Sequence, residues 1–245
     1  ESRQAERLTD TWELHAPSND WSAASELDDT HKSRPEIGTT ATWEYLVCGK
    51  VAGEDVPTPR SNHASAACGE HIVIFGGWGV DNVTPLSNCE LLHISSLCWT
   101  HCSTRGSSEP NPRGNPTLVF QRESNSVFLF GGWNGEHALN DVWCLDMNVW
   151  QWYNLTDKRD EEDIWPSPRT DHTAVLWETN QECDKMLVFG GNIEGFGPCS
   201  ELWALDIPKR RHSNTITNEQ GLHAPHWHQL KVSGPTPPAR TSHSA

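Results

Sequence analysis

The sequence predicts an all-β fold, a β-propeller built from four-stranded blades, and three observations carry that prediction. One phrase recurs: Pro59-Arg60-Ser-Asn-His63 leads to Ile72-Val-Ile-Phe-Gly76-Gly77, Pro112-Arg113 to Val127-Phe-Leu-Phe-Gly131-Gly132, and Pro168-Arg169-Thr-Asp-His172 to Met186-Leu-Val-Phe-Gly190-Gly191. A further copy opens at Ala239-Arg240-Thr-Ser-His243. The arginines recur after 53, 56 and 71 residues and the first glycines after 55 and 59, which is the period of a blade-sized repeat. The apolar runs are too short for helices and rich in β-branched and aromatic side chains, as strands require.

Within each unit the elements follow one order. The first strand comes straight after the Pro-Arg turn, at Ala64 to Cys68, Thr117 to Phe120 and Thr173 to Leu176. A short polar link leads to the second strand, which closes on Gly-Gly. Glycines suit a strand end where φ turns positive or where neighbouring backbone comes too near for a Cβ. The third strand is clearest at Leu139-Asn-Asp141-Val-Trp143-Cys-Leu145-Asp146, with counterparts at Asn88-Cys-Glu90-Leu91-Leu-His-Ile94 and Ser200-Glu201-Leu-Trp203-Ala-Leu205-Asp206. The fourth is Trp150-Gln-Trp152-Tyr-Asn-Leu155, matched by the segment at Trp99 and by Trp227-His-Gln-Leu230. Apolar and polar residues alternate in these strands, which fits strands that pack between neighbouring blades.

The ends of the chain obey the same grammar. Leu8-Thr-Asp10-Thr-Trp12-Glu-Leu14 matches a third strand and Thr42-Trp43-Glu-Tyr-Leu46 a fourth, so residues 1–58 read as a partial blade. Blades over 59–102, 112–155 and 168–230 follow, then the start of another over 239–245, all within a single propeller region, 1–245. Joining the two ends leaves a blade without its second strand, with unpaired backbone groups in mid-sheet. The expectation is therefore that sequence outside this chain completes the propeller. Polar stretches from Ala16 to Thr40 and from Pro208 to Ala224 read as insertions between third and fourth strands.

Taken together, these residues resemble the kelch-repeat family, over essentially the whole chain apart from the two insertions. The resemblance rests on the joint recurrence of Gly-Gly, an acidic residue on the third strand and a following tryptophan. It implies structural roles for Arg60, His63, Gly76, Gly77, Arg113, Gly131, Gly132, Trp143, Arg169, His172, Gly190, Gly191, Trp203, Arg240 and His243. Two departures stand out: Pro116 replaces the histidine of the other units, and Cys89-Glu90-Leu91 replaces Asn-Asp-Val. Members of the family carry their first strand innermost, and many recognise substrates for ubiquitin ligases or act as signalling or cytoskeletal scaffolds.

Composition narrows the function classes. With 33 acidic against 18 basic residues the net charge is -15, which repels a nucleic-acid backbone. The acidic run Asp160-Glu161-Glu162-Asp163 reads as a solvated loop. Eight cysteines at irregular spacings, in a chain large enough not to need staples, read as reduced thiols and hence as a cytoplasmic or nuclear setting. No apolar stretch approaches the ~20 residues of a membrane span. The sequons Asn82-Val-Thr84 and Asn154-Leu-Thr156 matter only in a secretory compartment.

Catalytic chemistry has no motif here: there is no Gly-x-Ser-x-Gly, Gly-Lys-Ser/Thr, His-Glu-x-x-His or calcium loop. Arg-x-x-His recurs in every copy but the second, and a group repeated from unit to unit is holding the unit. Two groups could bind a metal. His226 and His228 share a strand face opposite Trp227, and Cys98 and Cys102 could share one near His101. Neither has a second ligand pair at the spacing of structural zinc, so no metal and no cofactor is expected. The alternative, a metal-dependent enzyme on a kelch propeller, is weakly supported. Tyr45 and Tyr153 are the two tyrosines and fall on fourth strands, away from where a copper oxidase would need them, and the Glu-x-x-x-Asp-x-x-x-His stretch of iron-dependent specifier proteins is absent.

What remains is binding of a protein or peptide, with no nucleic acid and no membrane. The resemblance implies that the loops after Gly-Gly and the loops before Pro-Arg meet on one face. The first set holds Trp78, Asp81, Trp133, Glu136, His137, Asn192, Glu194 and Phe196 as partner-binding candidates, with Phe196 between two glycines the foremost. Trp78 and Trp133 could instead fold back on an adjacent blade. The second set adds Arg105, Glu109, Arg159, Glu161 and Glu162, a mixed and acid-leaning rim.

Overall fold

The computed structural model describes residues 57–158, 162–209 and 225–244, and for the backbone also 11–15, 42–46 and 49–50. The chain divides into two compact units, one from Asp10 to Cys48 and one holding the remaining residues. In the smaller unit β1 (Thr11–His15) pairs antiparallel with β2 (Thr42–Leu46), with Thr11 opposite Leu46 and His15 opposite Thr42. The rest of the partial blade, including Leu8 to Asp10, and most of both insertions lie outside the described residues.

The larger unit repeats one antiparallel meander. Its first sheet holds β3 (Gly49–Lys50), β4 (Ala64–Cys68), β5 (His71–Phe75), β6 (Cys89–His93) and β7 (Cys98–His101). The second holds β8 (Thr117–Gln121), β9 (Ser126–Trp133), β10 (Ala138–Asp146) and β11 (Gln151–Asn154). Beyond it, β12 (Arg169–Thr170) precedes β13 (Thr173–Trp177) and β14 (Cys183–Phe189), β15 (Asn192–Ile193) and β16 (Gly197–Pro198) lie in the next loop, and β17 (Leu202–Pro208) and β18 (His226–Gln229) close the chain's strands. The third blade is β13, β14, β17 and β18 in that order, while β12, β15 and β16 make a small sheet of their own. The first strands of successive blades, β4, β8 and β13, lie side by side. No helix among the described residues is long and apolar enough to cross a membrane.

Three features depart from a plain meander. Gly49–Lys50 adds to the first blade in parallel with Cys98 and Trp99. β9 does not stop at its glycines but runs through them to Trp133. On the facing β10 the register shifts between Leu139 and Val142, and this bulge re-aims Asp141.

Alternation along the strands sorts the core into two interblade layers. Leu118, Val127, Leu129, Trp143 and Leu145 of the second blade pack on Val73, Phe75, Cys89 and Leu91 of the first. Their sequence neighbours Val119, Phe128, Phe130, Val142 and Cys144 pack on Met186, Val188, Trp203, Leu205 and Trp227 of the third. A two-residue period thus gives each side of the middle blade its own partner.

The recurring polar residues tie each blade together at one end. Arg113 Nη1 donates to Gly131 O at 3.2 Å and to Asp141 Oδ1 at 2.5 Å, while Nη2 reaches Oδ2 at 2.8 Å. Trp143 Nε1 donates to the same carboxylate at 2.7 Å. In the third blade Arg169 bonds Gly190 O at 3.1 Å and Glu201 Oε2 at 2.5 Å, and Trp203 Nε1 bonds Glu201 at 2.9 Å. In the first, Arg60 bonds Gly76 O at 3.0 Å and faces Glu90 at 3.5 Å, with Asn88 in place of the indole donor.

The glycines serve the next blade. Gly77 N donates to Arg113 O at 2.9 Å and Gly191 N to Arg240 O at 2.9 Å, so the segment at each of these arginines lies on the preceding Gly-Gly. Gly76 has φ +69°, and a Cβ there would stand 2.5 Å from Arg113 O. The histidines complete the seam. His172 Nε2 and Thr117 Oγ1 are 2.9 Å apart with the ring edge-on to Phe130, and His243 repeats this with Thr173 and Phe189. Pro116 occupies the corresponding place after Arg113, and Phe75 meets Trp152 edge-on instead.

Gly76→Ala should therefore lower stability by roughly 1–3 kcal/mol or more, because strain and a backbone clash coincide. Gly195, also at positive φ but with nothing within 4 Å of its added Cβ, is the matched control and should lose less. Denaturant unfolding of both variants checks the difference.

Candidate functional site

A line of left-handed residues marks the inner edge at the Gly-Gly end. Asn62, Asn115, Asp171 and Ser242 each stand two residues after the turn arginine, with φ of 54°, 56°, 56° and 53°. Asn115 N donates to Asn62 O at 2.8 Å, Ser242 N donates to Asp171 O at 2.9 Å, and the Asn115 side chain donates to the Asp171 carboxylate. Sequence reasoning passed over this position. Its signal was available: small polar residues at every copy, of the kind that tolerate this backbone region.

Outward from that line run the loops after Gly-Gly, and they divide the candidate residues sharply. Trp78 folds back on the second blade, its Nε1 bonded to Asn115 Oδ1 at 3.2 Å and its ring where a Cβ on Gly114 would stand. Trp133 is half-buried and bridges Gly114. Asp81 is exposed and builds its own turn, accepting from the amides of Val83 and Thr84 at 3.0 Å. The Thr84 hydroxyl, then these amides, hold its carboxyl down at about 2. Asn134 closes a similar turn on the amides of Glu136 and His137, leaving both of those side chains exposed.

In the third blade's loop Asn192 is half-buried in a short hairpin with Pro198 opposite it. Glu194 reaches across to the second blade's loop, accepting from Ala138 N at 3.1 Å, with His137 at 3.7 Å. At the hairpin tip Phe196 is 89% exposed. Val80 and Val83, which the sequence reading did not single out, are 65% and 73% exposed in the first blade's loop.

The loops before Pro-Arg meet this set between the first and second blades. Ser87 and Asn88 from one loop and Thr104 and Glu109 from the other line a polar cavity of about 150 Å³, with Glu109 accepting from the Thr104 hydroxyl. Arg105 is exposed there and its N–H donates to Trp150 O at 2.6 Å. Glu162 is exposed, and Arg159 and Glu161 lie outside the described residues.

Of the two metal-binding candidates, the structure gathers one. His226 and His228 project from the same face of β18, opposite buried Trp227, with ring centroids 4.5 Å apart. Asp206, across the ladder from His226, places its Oδ2 2.9 Å from His228 Nε2. Lys185 bonds the other oxygen at 2.5 Å. Burial by itself would raise the Asp206 carboxyl, but the Lys185 and His228 bonds outweigh it and hold it below its usual range. Cys98 opens β7 and Cys102 lies one residue past its end. Cys102 instead lies beside Cys89, whose thiol is pushed far up by the Cys102 contact and by burial. All seven described cysteines are free thiols, and burial pushes Cys68 up to about 12.

Acid–base work is closed to the buried repeat histidine. Burial, then the Arg169 and His243 charges, depress His172 to about 3, so it is neutral at physiological pH, and its place is inside the blade seam. His63 and His243 are shifted in the same direction, first by burial.

Comparison with known proteins adds the lineage. A family model described as the KLHDC2/KLHL20/DRC7 Kelch-repeats domain matches residues 2–162. Adagio protein 3 of Arabidopsis thaliana is 29% identical over 219 residues, 83% of this chain. Dynein regulatory complex subunit 7 of Chlamydomonas reinhardtii is 28% identical over 184 residues, 69% of the chain. Host cell factor homolog hcf-1 of Caenorhabditis elegans is 27% identical over 193 residues, 77% of the chain. The chain spans 30%, 15% and 23% of the lengths of these three proteins.

The depressed His172 sets a pH dependence with a definite sign. Between its ordinary 6.5 and about 3 the unfolded chain binds a proton that the folded chain refuses, so stability falls as pH drops through that window. The loss approaches about 1.4 kcal/mol per pH unit once the unfolded imidazole is fully charged. Thermal midpoints from pH 7 to pH 5 should decline, and His172→Gln should flatten the decline.

Proposed function

The chain belongs to the kelch-repeat family, and from that premise we propose that it is a protein-interaction module that binds its partner through the loops following Gly-Gly. The observation that carries this reading is the presentation of Phe196. An aromatic ring left 89% exposed gains nothing for the fold, yet it sits on a hairpin fixed at its base by Asn192–Ile193 pairing with Arg169–Thr170. A preorganised anchor on a rigid frame binds without a large ordering cost. Val80 and Val83 are further exposed apolar side chains in the loops after Gly-Gly, and Asp81, Glu136 and Glu194 give the same set of loops exposed negative charge. That combination favours a partner segment with an apolar anchor flanked by basic residues.

The recurring arginines and histidines support a binding role over a catalytic one, since they bond the framework. Among the finer roles, a relative named for the dynein regulatory complex favours a cytoskeletal scaffold, and recognition of substrates for a ubiquitin ligase would use the same loop face.

Phe196→Ala should weaken partner binding by about 1–3 kcal/mol while the thermal midpoint stays put, as for an exposed anchor. Trp78→Ala should do the reverse, lowering stability through lost packing on the second blade with little direct effect on affinity. Affinity capture from lysate with the unmodified chain supplies the partner, and titration of each variant with that partner gives the affinities. Unchanged affinity in the Phe196 variant would remove this loop as the docking site.

A further inference from the structure

We propose that Asp206, His226 and His228 form a binding site for a divalent transition metal of borderline softness, Zn²⁺ foremost, on the outer edge of the third blade. The sequence offered two imidazoles on one strand face and no further ligand, which argued against a metal. The fold supplies the missing donor from the neighbouring strand. Asp206 stands across the ladder from His226, and one donor atom from each of the three residues lies within 4.8 Å of the others.

The spacing fits the chemistry. His228 Nε2 lies 2.9 Å from Asp206 Oδ2 and 3.1 Å from His226 Nδ1. Tetrahedral zinc with bonds of about 2.0–2.1 Å needs donor separations of roughly 3.3 Å, so these two separations need open by only a few tenths of an ångström. A simple imidazole–carboxylate pair would need one histidine. Here a second turns its ring nitrogen into the same spot. Two imidazoles and one carboxylate suit zinc and its neighbours in the first transition row over magnesium or calcium, which prefer oxygen alone.

The surroundings are compatible with an occupied site. His226 is exposed, so an ion reaches the three donors from solvent and water can fill its remaining position. Lys185 holds Asp206 Oδ1 and leaves Oδ2 to the metal, orienting the carboxylate from outside while its positive charge tempers affinity. A bound ion would join β17 to β18, whose ends at Pro208 and His226 are far apart in sequence, and so would hold closed a long loop.

The test is titration of the metal-stripped 245-residue chain with Zn²⁺, followed by calorimetry and thermal unfolding, with Co²⁺ as a spectroscopic probe and Mg²⁺ as control. One equivalent of Zn²⁺ should bind and raise the thermal midpoint, Co²⁺ should give the visible bands of a four-coordinate site, and Mg²⁺ should do neither. His228→Ala and Asp206→Asn should each weaken Zn²⁺ binding by at least the ~10–100-fold that loss of a supporting partner costs, and His93→Ala should leave it unchanged. Thermal midpoints of the metal-free variants equal to that of the parent chain establish that folding is intact, and Asp206→Asn keeps the side-chain shape should the alanine variant lose stability. Failure to take up one equivalent, or equal uptake by the His226→Ala/His228→Ala double variant, overturns the proposal. Its outcome is independent of whether Phe196 anchors a partner.

Discussion

A guanidinium buried at the start of each blade is the interaction on which the rest of the structure depends. Arg113 and Arg169 are among the largest side chains with no exposed surface, and a charge taken that far from water is tolerable only when fully bonded. Each answers the demand with a glycine carbonyl, a carboxylate and a carbonyl two residues behind it. Three elements distant in sequence are fixed by one side chain: the turn before the first strand, the end of the second and the beginning of the third. The carboxylate in turn orients the tryptophan that follows it. Lysine has one nitrogen where this geometry uses three, so the recurrence of arginine follows from its planar fork.

That bond also explains why the loops beyond it are free to carry function. With the second and third strands clamped at Gly-Gly, the chain between them can lengthen or change composition without disturbing the sheets. Beyond the tryptophan that opens the first two, the three described loops differ in sequence, and each closes on its own local device: Asp81 in one, Asn134 in the next, a two-rung hairpin in the third. Rigid roots and idiosyncratic tips are the conditions for a specific binding surface.

The sequence disclosed most of the framework because the framework repeats. Arg60, Arg113 and Arg169, the glycine pairs and Trp143 with Trp203 could be aligned with one another inside a single chain, so periodicity stood in for an alignment. The site was legible only in part, because a loop occurs once and its side chains are placed by neighbours that spacing does not reveal. Trp78 and Phe196 look alike in sequence, each an aromatic among glycines, and the difference between them is Gly114, which leaves room for one indole and has no counterpart near the phenyl ring. Val80 and Val83 gave no signal at all, since valine is ordinary in strands. Asp206 escaped notice as a ligand because its register against His226 depends on where β18 rejoins the sheet. The parallel pairing of Gly49–Lys50 rests on backbone alone and leaves no mark in side-chain pattern.

The line of left-handed residues from Asn62 to Ser242 has a consequence for how such a protein can change over generations. Successive blades shake hands there, and at Gly-Gly, mainly through main-chain N–H and carbonyl groups, which every amino acid carries. A connector made of backbone is indifferent to the identity of its neighbour, so a gene segment encoding one blade can be copied, lost or moved in the order with its couplings intact. Core side chains then need only drift back into complementarity, a gradual task. Number and order of blades are in this sense editable, while the coupling itself is carried by backbone groups that side-chain changes reach chiefly at the glycines.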